Sequence, residues 1–133
     1  MTREAIVVDA SVIVSLLIDP APLGDALGAR MADASLLAPT LLPFEVTNVL
    51  RRRRNAGLLS PAEAALARDG FAELPIDLWP WEPLASRVWQ LGDNLRSYDA
   101  AYVALAEQTG CVLLTRDARI AGAPGVACKI ELV

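Results

Sequence analysis

The chain has 133 residues, enough for one domain, and its 54% hydrophobic against 21% charged composition supplies a sizeable core. With no histidine and Lys129 as the single lysine, it lacks histidine-based acid–base and nucleophilic catalysis, almost every zinc site, and a P-loop or Schiff-base lysine elsewhere. A net charge of −4 argues against binding nucleic acid by overall charge, though not against a local basic patch.

No apolar run approaches the roughly 20 residues that cross a bilayer. The start, Met1-Thr2-Arg3-Glu4, followed by a short apolar run, lacks the form of a signal peptide, which assigns the protein to the cytoplasm with no membrane association. Cys111 and Cys128 lie in separate apolar segments without CxxC spacing and read as buried thiols, a bridge between neighbouring strands being the alternative.

The run over 5–8 is continuously apolar and β-branched, the pattern of a buried parallel strand, and it ends at Asp9. Residues 11–18 follow as an apolar helix with Asp9 or Ser11 near its cap. Asp19-Pro20-Ala21-Pro22 breaks the chain before a second helix over 23–32. A short strand is expected over 35–38. Pro39-Thr40 then opens a long helix to Ala56, ended by Gly57, with Pro43 tolerated in its first turn. Ser60-Pro61-Ala62-Glu63 is a capping box with proline at the first helical position, which starts a helix running to residue 73.

Residues 76–81 alternate as a short strand, and 83–94 read as one helix with Leu84, Val88, Leu91 and then Leu95 on a stripe. The next helix starts at Ser97, a good N-cap, and is closed by Gly110. From Ala100 to Ala106 it has no polar face, so it belongs in the middle of the domain. Asp99 nonetheless sits in its first turn. The helix dipole favours an anion there by only about 0.3–1 kcal/mol, while burying a charge costs several. Strands over 111–115, ending at Arg116-Asp117, and over 126–132 complete the chain. Alternating strands and helices predict a three-layer α/β/α domain around a mostly parallel sheet of four to five strands.

In such a sheet the functional site lies outside the carboxyl ends of the strands. Asp9 and Asp117 close strands, whereas Glu45 and Asp99 begin helices, so all four acids fall on that one edge. Each alone is an ordinary capping or dipole-complementing acid; together they repel. Two carboxylates about 5 Å apart at an effective dielectric of about 20 cost on the order of 3 kcal/mol. A hard divalent cation, Mg²⁺ or Mn²⁺, relieves that repulsion with oxygen ligands. Ser11 and Thr115, two residues from Asp9 and Asp117, read equally as hydroxyls that orient ligands or water and as capping hydroxyls.

Val8-Asp9-Ala10-Ser11, Glu45-Val46-Thr47-Asn48, Ser97-Tyr98-Asp99-Ala100-Ala101-Tyr102 and Leu113-Leu114-Thr115-Arg116-Asp117 resemble the four acidic motifs of PIN-domain ribonucleases, in order and over nearly the whole chain. The likeness is greatest to VapC-type toxins of bacterial toxin–antitoxin pairs, and no acidic position departs from the pattern. The resemblance implies a single PIN-like domain over 1–133 that acts as a Mg²⁺-dependent endoribonuclease on structured cellular RNA, transfer or ribosomal. It implies a homodimer, inhibited by a cognate antitoxin. It assigns Asp9, Asp99 and Asp117 to one or two metal ions, directly or through water. Glu45 then either helps hold the metal or deprotonates the attacking water, with Asn48 among the supporting residues.

Arg51 to Arg54 is the only basic run, but four consecutive helical positions point nearly all round. Glu45, Asn48 and Arg52 share one stripe, so Arg52 is a candidate for an RNA phosphate or for balancing Glu45; Arg51, Arg53 and Arg54 fit a solvated helix end better. Arg96 and Arg116 flank acids and are further candidate phosphate contacts. Trp79, Trp81 and Trp89 read as core or interface. The alternatives are a catalytically silent PIN-like interaction module and a different Mg²⁺-dependent Asp-site domain. A phosphoacceptor receiver wants an acidic pair after its first strand, where Ala10 follows Asp9. A haloacid-dehalogenase phosphatase wants Asp-x-Asp, where Ser11 holds the second position.

Overall fold

A computed structural model describes residues 3–133; Met1 and Thr2, part of the start expected not to be a signal peptide, lie outside the described residues. The chain runs β1 (Ala5–Val8), α1 (Ala10–Ile18), α2 (Leu23–Met31), β2 (Ser35–Pro39), α3 (Leu42–Asn55), α4 (Pro61–Ala72) and β3 (Ile76–Trp79). Then come α5 (Ala85–Gln90) between two 3₁₀ turns, α6 (Ser97–Thr109), β4 (Val112–Thr115), α7 (Ala118–Ala121) and β5 (Ile130–Leu132).

The strands form one sheet in the order β3-β2-β1-β4-β5, and every neighbouring pair is parallel. Ile6, Val7 and Val8 are all fully buried, as are Leu113, Leu114 and Thr115. Successive strand residues point to opposite faces, so both faces of the central strands are covered, and the domain has three layers. Helices α1, α3 and α4 pack on one another, and α5 packs with α6, which lies across β1, β2 and β4. Residues 100–106 of α6 are buried all round, as their composition requires. The strand order reverses between β1 and β4, which opens the switch-point crevice at their carboxyl ends. No single helix among the described residues is long and apolar enough to cross a membrane.

Most boundaries follow the sequence to within a residue or two, and the capping box of Ser60 and Glu63 forms in full. Three expectations are corrected. Ser97 does not cap α6; Arg96 is the extended N-cap, Ser97 is already helical, and Asp99 is the third helical residue. Residues 83–94 are not one helix but a 3₁₀–α–3₁₀ series, with Pro83 in the first 3₁₀ turn and Gly92, a poor helix former, in the second, although Leu84, Leu91 and Leu95 still reach the core. The last strand is reduced to Ile130–Leu132, because side chains take the backbone groups ahead of it. Glu107 accepts from the Ala127 N–H at 2.7 Å, and Arg87, paired with Glu107, donates to the Gly125 carbonyl at 2.7 Å. The four-residue α7 has too little periodicity to be read from sequence.

Cys111 and Cys128 are free and only half-buried, and burial pushes the Cys128 thiol up to about 11. Trp81 and Trp89 are 66% and 87% exposed, which removes both from the core and leaves the interface reading.

Candidate active site

Asp9 follows β1 directly and caps α1, its Oδ1 accepting from the Val12 N–H at 3.1 Å. Its side chain is buried and fully engaged. The Ser11 hydroxyl donates to Oδ1 at 2.5 Å, and the Thr115 hydroxyl, from the end of β4, donates to Oδ2. Each hydroxyl oxygen in turn accepts a backbone N–H from the β4–α7 turn, Arg116 to Ser11 at 3.1 Å and Asp117 to Thr115 at 3.0 Å. Those amides orient the hydroxyl protons toward Asp9 and tie the ends of β1 and β4 together. Neither hydroxyl caps a helix, Asp9 and Asp117 being the caps, and both are hydrogen-bonded to Asp9.

Glu45 lies in the first turn of α3, half-buried, and its Oε1 accepts a 2.5 Å hydrogen bond from the Tyr102 phenol of α6. Asp99, half-buried in the first turn of α6, has no hydrogen-bonded side-chain partner among the described residues. Asp117 caps α7 and is clasped by Arg119, with the guanidinium 2.6 Å from Oδ2 and 3.1 Å from Oδ1.

The acids sense one another. Burial raises Asp9, against the hydrogen bonds from Ser11, Thr115 and Val12, and Asp117 raises it further. Burial raises Glu45, opposed by Tyr102 and reinforced by the charges of Asp99 and Asp9. Burial followed by Asp117 raises Asp99, with Arg119 and Arg96 opposing. Asp117 alone is lowered, chiefly by its bond to Arg119. The topology therefore gathers all four predicted acids at the switch point. Among the described residues, no three of them converge closely enough to enclose an ion as they lie. Asp117 is occupied by Arg119 and both Asp9 oxygens by hydroxyls. The donor set itself, four carboxylates with hydroxyls and no histidine or thiolate, suits a hard divalent cation.

The remaining predicted residues divide. Asn48 and Arg52 line a groove that begins at Glu45, although Asn48 makes no hydrogen bond to an acid among the described residues. Arg96 stands close enough to lower Asp99 and Asp117. Arg116 turns along α1 instead, donating to Ser15 at 2.7 Å and lying 3.4 Å from Asp19. Two contributors escaped the sequence reading. Tyr102 left a signal, a buried phenol within an otherwise apolar helical stretch needing an acceptor. Arg119 left none, since α7 was not foreseen.

The fold and this edge together define an all-parallel α/β domain with four carboxylates gathered at the switch point of its sheet. The PIN-domain family profile matches residues 6–126. Ribonuclease VapC12 of Mycobacterium tuberculosis is 37% identical over 128 residues, covering 96% of this chain and 98% of that protein. Ribonuclease VapC1 of the same organism is 39% identical, covering 88% and 96%. Among solved structures, PAE2754 from Pyrobaculum aerophilum superposes with a TM-score of 0.68 at 22% identity, covering 96% of this chain and 92% of that one. VapC20 of M. tuberculosis, a sarcin–ricin-loop-cleaving toxin, gives 0.67 at 16% identity with 92% and 96% coverage; these two share the fold. The chain belongs to the PIN-domain family, among the ribonucleases named VapC.

Proposed function

We propose that the protein is a divalent-metal-dependent endoribonuclease toxin of the cytoplasm, working as a homodimer and held inactive by a cognate antitoxin. The observation that carries this reading is that Asp9, Glu45 and Asp99 are all raised at one sheet edge, first by burial and then by neighbouring acids, Asp117 for Asp9 and Asp99 and those two for Glu45, a cost that a bound cation would relieve. The VapC relatives support the activity, and neighbours solved as toxin–antitoxin complexes, such as VapBC2 from Rickettsia felis at TM-score 0.66 and 11% identity, support the partner. The exposed Trp81 and Trp89 offer apolar surface to a second copy.

Asp9, Asp99 and Asp117 would hold Mg²⁺ or Mn²⁺, with Glu45 beside them. A divalent cation there supplies a lowered water pKa and neutralises charge on the scissile phosphate. Ser11 and Thr115 fix the Asp9 carboxylate, so it is presented in one orientation. Tyr102 occupies Oε1 of Glu45, leaving Oε2 to take the proton of the attacking water. The raised Glu45 is a better base near neutral pH than an ordinary carboxylate. No histidine or lysine stands ready to activate a ribose 2′-hydroxyl, so cleavage leaves a 5′-phosphate and a 3′-hydroxyl. The test is total cellular RNA with antitoxin-free protein in Mg²⁺ or Mn²⁺, then in EDTA, with the product ends mapped. Discrete, chelator-sensitive cuts bearing those ends are expected; 2′,3′-cyclic phosphate ends would overturn the mechanism.

Arg119 must release Asp117 before that acid can join a cation. Arg119→Gln is therefore expected to tighten Mn²⁺ binding by roughly two- to fivefold, the scale of an exposed ion pair, in calorimetric titration. Unchanged affinity would mean that Asp117 does not contribute.

A further inference from the structure

A pocket of about 190 Å³ opens between α3 and α4. Its α3 wall is Thr47, Leu50, Arg51 and Arg54, spaced as a single helical stripe. At about 100° per residue, that stripe lies roughly half a turn round the helix from Glu45, on the side away from the acids. The other wall is the matching stripe of α4, Pro61, Ala64, Ala65 and Arg68. Side chains of facing helices ordinarily interlock and fill the space between them. Here α4 offers only proline and alanine, so a hollow remains over Leu50, lined by three guanidinium groups. Its charge is one-sided. No acid among the described residues lines it, in a chain whose net charge is −4. Arg51 and Arg54 form no ion pair among the described residues, and Arg54 meets only the neutral Asn55 amide at 3.4 Å. Arg68 reaches only its sequence neighbour Asp69, at 3.4 Å and with both side chains mostly exposed, a pair of little worth in water. Arg30, Arg87 and Arg119, by contrast, each hold a carboxylate at 2.9 Å or less. Arg51 and Arg54, which the sequence places at a solvated helix end, thus share a pocket with an arginine of another helix.

We propose that this pocket binds the diphosphate group of a small molecule, held by Arg51, Arg54 and Arg68 above the floor of Leu50 and the two alanines. Three guanidinium forks, each bidentate, call for about six acceptor oxygens on one compact anion. A diphosphate supplies about that number, and a single phosphoryl group only about three. A nucleic-acid strand spreads its phosphates one charge at a time along the backbone, where a small hollow cannot gather them. The volume is below that of a site for a whole drug-sized ligand, so the rest of any larger molecule stays outside. Free inorganic diphosphate and the end of a nucleoside diphosphate share this chemistry. The pocket has no residue in common with the acidic edge, and the inference does not depend on the ribonuclease reading.

The test is calorimetric titration with sodium pyrophosphate in EDTA, so that no metal carries the anion to the acidic edge. One pyrophosphate per chain is expected, with orthophosphate weaker by about tenfold or more, since it leaves charge-assisted hydrogen bonds unmade. Arg51→Gln, Arg54→Gln and Arg68→Gln should each weaken pyrophosphate by about threefold to tenfold. Arg68→Lys should recover only part of that loss, because lysine keeps the charge without the fork. Ala65→Leu keeps every charge, suits an exposed helical position, and should abolish binding by filling the hollow. Melting temperatures close to the wild type's would separate lost binding from lost folding. ADP in the same titration distinguishes the sources: tighter than pyrophosphate for a nucleotide end, no tighter for the inorganic ion. Pyrophosphate that fails to bind would overturn the pocket, as would binding that survives Ala65→Leu or the three glutamine substitutions combined. Oligouridine or polyglutamate binding through these arginines where pyrophosphate does not would overturn it too, in favour of a surface for a macromolecule.

Discussion

Asp99→Asn is expected to reduce metal-dependent RNA cleavage by on the order of 10³-fold while leaving the fold intact. The magnitude is that of losing several kcal/mol of charge stabilisation around the scissile phosphate, at tenfold per 1.36 kcal/mol. The fold should survive because the Asp99 carboxylate holds nothing in place: it has no hydrogen-bonded partner among the described residues and faces Asp117. The amide keeps the shape and removes a charge. Mn²⁺ affinity, measured by calorimetry, should fall with activity, which separates a lost ligand from a lost base.

The same variant has a signature in metal-free stability. The folded-state pKa of Asp99 lies above its ordinary value, by burial first and Asp117 second. As pH rises through the ordinary carboxylate range, the unfolded chain releases this proton first. The folded state therefore loses stability until its own raised pKa is passed. In EDTA, melts near pH 5 and near pH 7.5 should show a smaller loss in Asp99→Asn than in the wild type. Glu63, Glu107, Asp117 and Glu131 are lowered and act in the opposite sense, below the ordinary range, while Asp9 and Glu45 are raised in both proteins; the difference therefore reports Asp99 together with the part of the Glu45 shift that its charge causes. A variant that cleaves as fast as the wild type would remove Asp99 from the site.

Much of this site was legible because its parts are set by local rules. A β-branched run ending in aspartate, an apolar helix carrying an acid in its first turn, and a parallel topology together assign Asp9, Asp99 and Asp117 to one edge. The hydroxyls of Ser11 and Thr115 were visible as neighbours, but sequence left two roles open. The β1–β4 pairing brings the Thr115 hydroxyl onto Asp9 across 106 positions of chain, a contact that no local pattern shows. What sequence missed depends on long-range geometry or on very short elements. Arg119 meets Asp117 through a four-residue helix with no period to detect. Ser97 was assigned a cap that the backbone gives to Arg96, a one-residue shift that leaves the first-turn position of Asp99 unchanged. Residues 126–129 look like strand, yet Glu107 and Arg87 draw the backbone beside them out of the ladder.

Tyr102→Phe is the second substitution with a large expected effect, and it acts without touching a carboxylate. Tyr102 is 2% exposed, and its phenol is the polar group of a helix stretch otherwise made of alanine, valine and leucine. Burial, followed by the bond to Glu45, raises its pKa far above the usual phenol range, so the hydroxyl remains a donor at every working pH. It therefore holds Glu45 in place without competing for the proton. Phenylalanine keeps the ring in the core, so the helix should pack as before. It leaves the half-buried Glu45 without the bond that opposes its raised pKa. A hydrogen bond to a charged group contributes about 1.5–3 kcal/mol, which corresponds to roughly a ten- to hundredfold fall in kcat. Because Tyr102 positions an acid rather than gripping RNA, KM should be nearly unchanged, and the rising limb of the pH–rate profile should move to higher pH as Glu45 is raised further. A rise in KM with kcat preserved would transfer Tyr102 to substrate binding. A lowered melting temperature with an unmoved pH profile would reduce it to a packing residue.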